Sequence, residues 1–285
     1  MGTLEPDTGQ SGAWTSDRLP ADLAIALDAT AGRRGCFGSP AHFFTETGST
    51  NDVAARLADR GAAEGTTVVA LAQSSGRGRF GREWFSPAGA GLYVSVVCRS
   101  AKAAPYLTLA GGVAVADGIR TATGLPVYLK WPNDVVVPHG GTPVRHRKLA
   151  GILAEASTTQ LGLQHVILGF GINLRTAAYP SDLADRATSI ETELGRAPDA
   201  GTVLAETLAA LAGQVDALSR GEPHQIVARW RDLAPSAIGA TVEWDSAGGR
   251  LSGTTAGIAN DGALLVRVGA RTERIISGEL KWISR

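Results

Sequence analysis

The sequence predicts an α+β protein, a mixed β-sheet with packed helices followed by a small antiparallel β-barrel. Three observations carry that expectation. Strand-like and helix-like runs before Pro235 do not alternate regularly, which argues against a doubly wound parallel sheet. Between Asp199 and Leu218, the residues Leu204, Leu208, Leu211, Val215 and Leu218 recur at spacings of four and three, the period of an amphipathic helix. After Pro235 short alternating runs are separated by "AGG", "NDG" and "GAR", the pattern of about five short antiparallel strands. The expected organisation is a mobile tail over residues 1–16, a large domain over 17–235 and the small barrel over 236–285.

The elements follow in order. "ADLAIALDAT" (Ala21 to Thr30) predicts a helix and "AHFFTET" (Ala41 to Thr47) a strand. "GSTNDVAARLADRG" reads as a helix in which Ser49 and Asp52 have capping-box spacing and Gly61 supplies the stop. "TTVVALAQ" (Thr66 to Gln73) and "GLYVSVVCRS" (Gly91 to Ser100) are strand-like by β-branched content. "YLTLAGGVAVADGIRTATG" (Tyr106 to Gly124) has helical length and ends on glycine. Four strands are expected next, at Val127 to Trp131, Asp134 to Val137, Arg147 to Ser157 and His165 to Leu174. "PHGGTPVRHR" (Pro138 to Arg147) reads as a flexible hairpin tip, and a second helix is expected around Pro223 to Leu233.

Composition narrows the function. Apolar residues make up 44% of the 285 and charged ones 19%, which suits a globular domain with a sizeable core. Lys plus Arg and Asp plus Glu balance at 27 each, so any anion recognition must be local. Cys36 and Cys98 are too few for a disulfide framework or a four-thiolate metal site. No signal-peptide pattern and no membrane-length apolar run is present, so the expected location is the cytoplasm.

Positive charge is concentrated in "SSGRGRFGREW", Ser74 to Trp84. Glycines let a backbone approach a ligand and point N–H groups at it, arginines match carboxylate and phosphate, and Trp84 offers a flat face for a base. The composition also suits a solvated hairpin or a single-strand nucleic-acid contact. "GSTND" (Gly48 to Asp52) places short polar side chains at a helix start, either as simple caps or as partners for a compact urea or amide. "LKWPNDVVV" (Leu129 to Val137) offers Asp134 as a magnesium ligand or as part of an Asn-Asp turn. In "RKLAGILAE" (Arg147 to Glu155), strand alternation puts Lys148 on a face with Ala150 and Ile152. No acidic residue shares that face within several positions. An ammonium there needs an anionic partner, which a ligand can supply, or an edge position from which it reaches water. "GFGINL" (Gly169 to Leu174) adds a strand-end glycine pair and an asparagine.

Taken together, "GRGRFGREW", "KWPND" and "KLAGILAE" make the chain from Phe43 to Arg285 resemble the biotin protein ligases. The resemblance implies a class II synthetase-like catalytic domain with an SH3-like barrel behind it. It implies activation of biotin by ATP and Mg2+ to biotinyl-5′-AMP, then transfer to a lysine of a biotin carboxyl carrier domain. By that resemblance Ser49, Thr50, Asn51, Gln73, Gly76, Arg77, Gly78, Arg79, Lys148 and Gly151 would surround biotin. ATP would meet Arg79, Arg82, Trp84, Lys130, Asn133, Gly169, Gly171 and Asn173, with Trp84 stacked on adenine and Asn173 bonded to it. Asp134 would serve the metal, and Lys148 and Arg79 would carry the catalytic charge.

The sequence departs from the family where Ser74-Ser75 stands for the usual Thr-Ala and where the insert Pro138 to Arg147 is long and basic, a candidate carrier contact. The segment before Phe43 is too short and too weakly patterned for the DNA-binding domain that some members carry in front. No recognition helix with a basic start is found, so neither DNA nor a membrane is an expected partner, and a homodimer is left open.

Overall fold

The computed structural model describes residues 16–140, 145–246 and 249–283. Apart from Ser16, the expected tail over 1–16 lies outside the described residues. Helix α1 (Ala21–Arg34) leads to strand β1 (Ala41–Phe44), helix α2 (Thr50–Asp59) and strand β2 (Thr67–Ala70). Strand β3 (Gly91–Cys98) and helix α3 (Leu107–Thr123) precede β4 (Tyr128–Lys130), β5 (Asp134–His139), β6 (Arg145–Thr159) and β7 (Gly162–Asn173). Helices α4 (Ser181–Ala184), α5 (Ile190–Leu194), α6 (Ala200–Ser219) and α7 (Pro223–Leu233) come next. Strands β8 (Ile238–Ser246), β9 (Gly249–Ile258), β10 (Leu264–Val268), β11 (Arg271–Ile275) and β12 (Lys281–Ile283) follow them.

The first seven strands form one sheet in the order β1-β2-β3-β7-β6-β5-β4. Only the β1–β2 pair is parallel, so the sheet is mixed, as the irregular alternation of elements predicts. Its two faces have different fates. On the back, Leu92, Val94, Val96 and Cys98 of β3 join α1, α3, α6 and α7 in the main core, around a fully buried Trp230. On the front, Val97 and Ile167 pack with Val53, Ala54 and Ala58 of α2. Helix α2 contacts β2, β3 and β7, while β4, β5 and the start of β6 keep an uncovered front. That uncovered half is where a ligand has access.

The last five strands form an antiparallel sheet in the order β11-β10-β9-β8-β12. Val242, Ile258, Leu264, Val266 and Ile275 belong to the same buried cluster as the main sheet. Trp131 donates its indole N–H to Gly262 O at 3.0 Å, and Arg231 Nε bonds Ile258 O at 2.9 Å. The second sheet is thereby fixed against the end of the first, beside the open front.

Several local expectations change. Ser49 is the N-cap of α2, yet its side chain makes no capping bond, so the expected capping box does not form. The first helical N–H is served from another element: Thr50 N donates to Gln73 Oε1 at 2.9 Å. Both flanks of the insert are strand, since Pro138 pairs with His146 and His139 with Arg145, which lengthens the β5–β6 hairpin. Residues 141–144 of it lie outside the described residues. Helices α4 and α5 have no counterpart in the predicted elements, since four or five residues are too few to show a period. Among the described residues no helix is long and apolar enough to cross a membrane.

Candidate functional site

A cleft of about 1250 Å³ opens on the uncovered front, between the Gly/Arg loop and the second sheet. Its chemistry begins with a bulge. Pairing between β5 and β6 slips by one residue: Val135 faces Ala150, but Val136 faces Lys148. Leu149 is therefore extra, and it turns into the core with Ala150 and Ile152, all at or below 1% exposure. The slip moves Lys148 off the face it was expected to share with Ala150 and Ile152. It lies instead with Gly151 on the front, where a Cβ on Gly151 would be 3.2 Å from Nζ. On its other edge, beyond the last β6–β7 pair, Lys148 pairs with Ala187, its N–H bonding Arg186 O at 2.7 Å and its carbonyl accepting from Thr188 N at 2.9 Å. The segment between α4 and α5 thus clamps the lysine's backbone.

The ammonium already has an acidic partner, contrary to the expectation drawn from its own strand. Lys148 Nζ is 2.6 Å from Asp134 Oδ1, from the neighbouring strand β5. Other cations crowd this acid. Burial lowers the Lys130 pKa below the ordinary lysine range, with Asp134 opposing and Lys148 and Arg186 reinforcing the shift. Burial likewise lowers Arg79, with Asp134 again opposing. One carboxylate facing Lys130, Lys148, Arg79 and Arg186 leaves an excess of positive charge in a partly desolvated place. Such a place favours a polyanion.

The floor is made of glycine. Gly151 of β6 and Gly171 of β7 are direct cross-strand partners, as are Gly169 and Ser95 of β3. The indole of Trp84 lies on this floor: a Cβ on Gly171 would meet Trp84 Nε1 at 2.3 Å. Lys148 Nζ stands 5.1 Å from the centre of that ring. Trp84 Nε1 is buried without an acceptor. The ring covers the sheet backbone with one face.

At the other end the lining is neutral and polar. Ser49, Thr50, Asn51 and Gln73 line it, the first three buried. Thr50 Oγ1 donates to Gln73 Oε1 at 3.0 Å, and Gln73 Nε2 donates to Ser86 Oγ at 3.0 Å. Ser95, which the sequence reading passes over, donates to Asn51 Oδ1 at 2.5 Å. A lone serine inside the apolar "LYVSVV" is the one signal that marks it.

All predicted site residues line the cleft except Gly76. Gly76 acts at the loop's base, where a Cβ would come within 2.5 Å of Trp84 O and 2.6 Å of Ser86 Oγ. At the loop's tip Phe80 has φ 57°, a left-handed conformation that costs a bulky residue energy, and it is 62% exposed. Arg82 is ion-paired with Glu279, which ties the loop to the strand connection ahead of β12. Arg79 Nη1 is 3.5 Å from Asn133 Oδ1. Asn133 Nδ2 donates to Ile152 O at 2.8 Å and Asn173 Nδ2 to Thr188 O at 2.9 Å, so both amides are used in holding the walls. The sequence reading also misses the second sheet's contribution, in which Trp244, Glu279 and Trp282 line the cleft and Lys130 Nζ lies 5.3 Å from the Trp282 ring.

A thin glycine floor, a neutral polar end and a cationic end define an α+β enzyme domain for a ligand that joins a compact polar head to an anionic group. Residues 44–173 match the model of the biotin/lipoate A/B protein ligase family. The biotin–[acetyl-CoA-carboxylase] ligase of Mycobacterium tuberculosis is 34% identical over 245 residues, covering 82% of this chain and 86% of its own. The bifunctional ligase/repressor BirA of Bacillus spizizenii is 32% identical over 240 residues, covering 82% of this chain and 71% of its own. A structure of the biotin protein ligase from Aquifex aeolicus in complex with biotin and ATP superposes with a TM-score of 0.73 at 27% identity, over 86% of this chain and 99% of that one. This chain belongs to the biotin/lipoate A/B protein ligase family, on the biotin protein ligase side of it.

Proposed function

We propose that this protein activates biotin with ATP and then transfers the biotinyl group to a lysine of a biotin carboxyl carrier domain. The observation that carries the reading is the position of Lys148, between the polar end and the cation cluster and over the glycine floor. The biotin carboxylate oxygen attacks the α-phosphorus, forming the acyl phosphate bond of biotinyl-5′-AMP as the bond to pyrophosphate breaks. The carrier's lysine amine then attacks the acyl carbonyl, loses a proton, and AMP departs with the bonding pair.

The chain's own contribution is alignment and charge. Thr50, Gln73 and Ser49 suit a ureido ring, which offers two N–H donors and a carbonyl acceptor. Lys148 meets the carboxylate and then the oxygens at the α-phosphorus, exchanging Asp134 for the ligand. Arg79, Lys130 and Arg186 take the remaining phosphate charge. Positioning and neutralisation of developing charge supply most of the acceleration, and no covalent nucleophile is assigned. The Gly/Arg loop closes over an intermediate that water would destroy.

Asp134 is the residue suited to hold Mg2+. Among the described residues no group of three or more His, Cys, Asp or Glu can cage a metal. A single carboxylate beside a phosphate site fits an ion that keeps waters and phosphate oxygens as its other ligands. Bound there, it would neutralise phosphate charge. We assign the chemistry to residues 17–235, with 236–285 closing one side of the cleft, and the cytoplasm as the location. Incubation with ATP, Mg2+ and biotin should leave a retained biotinyl adenylate visible by mass spectrometry. A product with lipoate and none with biotin would overturn the reading.

A further inference from the structure

We propose that Glu155 is a positioning residue that sets the hydrogen-bond polarity of the cleft's neutral end; the inference rests on the biotin-ligase reading. Glu155 does not line the cleft. It lies on the front of β6, paired with Ile167 and two residues beyond Leu153. Its Oε2 accepts two hydrogen bonds, from Asn51 Nδ2 at 2.5 Å and from Arg77 Nη2 at 2.8 Å. Arg77 Nη1 reaches Asp52 Oδ1 at 2.5 Å. One carboxylate therefore joins the first turn of α2, strand β6 and the entry to the Gly/Arg loop.

The consequence for the ligand runs through Asn51. Its side chain lies directly on Gly169, where a Cβ would be 2.2 Å from Oδ1. An amide can turn either way, but a carboxylate accepts only, so Glu155 holds the Asn51 nitrogen toward itself and the oxygen toward Ser95. The single hydrogen of Ser95 Oγ is then drawn to Asn51 Oδ1 at 2.5 Å. Ser95 Oγ is also 2.8 Å from Thr50 Oγ1. With that hydrogen committed, the single hydrogen of Thr50 is spent within the protein, on Gln73 Oε1 at 3.0 Å or on Ser95 Oγ, and toward the cleft the Thr50 oxygen offers a lone pair. An acceptor at this point suits an N–H donor such as one of a ureido ring. Arg77 meanwhile fixes the backbone from which Gly78 and Arg79 enter the cleft.

Glu155→Gln keeps the size and removes both the charge and the acceptor-only character. Glu155→Asp keeps the charge on a shorter arm. Isothermal titration of biotin should show the Gln variant weakened about tenfold or more, the range for a lost charge-assisted hydrogen bond, with the Asp variant nearer to wild type. Thermal midpoints of all three should agree within a few degrees, and in steady state the biotin KM should rise more than kcat falls. Wild-type biotin affinity in the Gln variant would overturn the assignment. So would a loss of affinity that only follows a loss of thermal stability. Failure of the wild-type protein itself to bind biotin would instead remove the functional reading beneath it.

Discussion

Lys148 Nζ and Asp134 Oδ1 stand 2.6 Å apart, an ion pair made across the ladder from β6 to β5. It faces a cleft with surplus positive charge, so the pair is one that an incoming anion can replace. Lys148→Ala should reduce biotinyl-adenylate formation on the order of a hundredfold or more, as expected when a charge-stabilising donor is removed. Because both partners are partly exposed, at 35% and 27%, the stability cost should stay near 1 kcal/mol or less. Pyrophosphate release and urea unfolding measured on one preparation check both statements. Undiminished release in a normally folded variant refutes the role of this lysine.

The contact between Trp84 and Gly171 leaves no room for a methyl group, since a Cβ there would lie 2.3 Å from Nε1. Gly171→Ala must push the indole off the floor. Overpacking of this kind costs typically about 1–3 kcal/mol. The free energy of unfolding, read by urea titration, should therefore fall by about 1–3 kcal/mol in that variant. Placed on a Trp84→Ala background, the same change should cost far less, giving a coupling of about 0.5–3 kcal/mol in a double-mutant cycle. Equal costs on both backgrounds would show that the strain does not come from the indole.

Much of the fold was legible because its long elements carry a strong period. The α6 leucines, the glycine stop of α3 at Gly124 and the start of α7 at Pro223 all stand where the pattern puts them. The site's chemistry was legible as residue types, yet its geometry was not. Regular alternation puts Lys148 toward the core, and only the slip at Leu149 brings it forward. No local signal announces that slip, since Leu149 fits a buried strand position either way. Asp134 was recognised as a ligand candidate but not as the partner of Lys148, because the pairing follows from strand register. Glu155 and Glu279 reach their partners across the fold, and sequence distance hides such contacts.

His146 gives the stability a pH dependence. Burial and then the charge of Lys130 hold its pKa below the ordinary 6.5. The folded protein thus binds this proton more weakly than the unfolded chain. The stability from this group is present above pH 6.5 and declines as pH falls from 6.5 through the lower folded value. The slope can reach at most about 1.4 kcal/mol per pH unit. Urea unfolding between pH 7.5 and 5.5 should show the decline, and His146→Gln should flatten it. An unchanged slope in that variant would assign the decline to other groups.

Arg82 and Glu279 join the Gly/Arg loop to the second sheet, with side chains 58% and 61% exposed. An ion pair so open to solvent is worth about 0–1 kcal/mol, so its loss should scarcely move the unfolding midpoint. Its effect on ligand should be larger than its effect on folding. While the pair holds, Arg82 is withheld from phosphate; Glu279→Ala frees the guanidinium. ATP affinity should then rise by up to about fivefold at low salt, and the gain should shrink as salt screens both interactions. Calorimetric titration at two ionic strengths measures this directly. Weaker ATP binding in Glu279→Ala would mean that the carboxylate holds the loop in its closed position, the opposite of competition with phosphate.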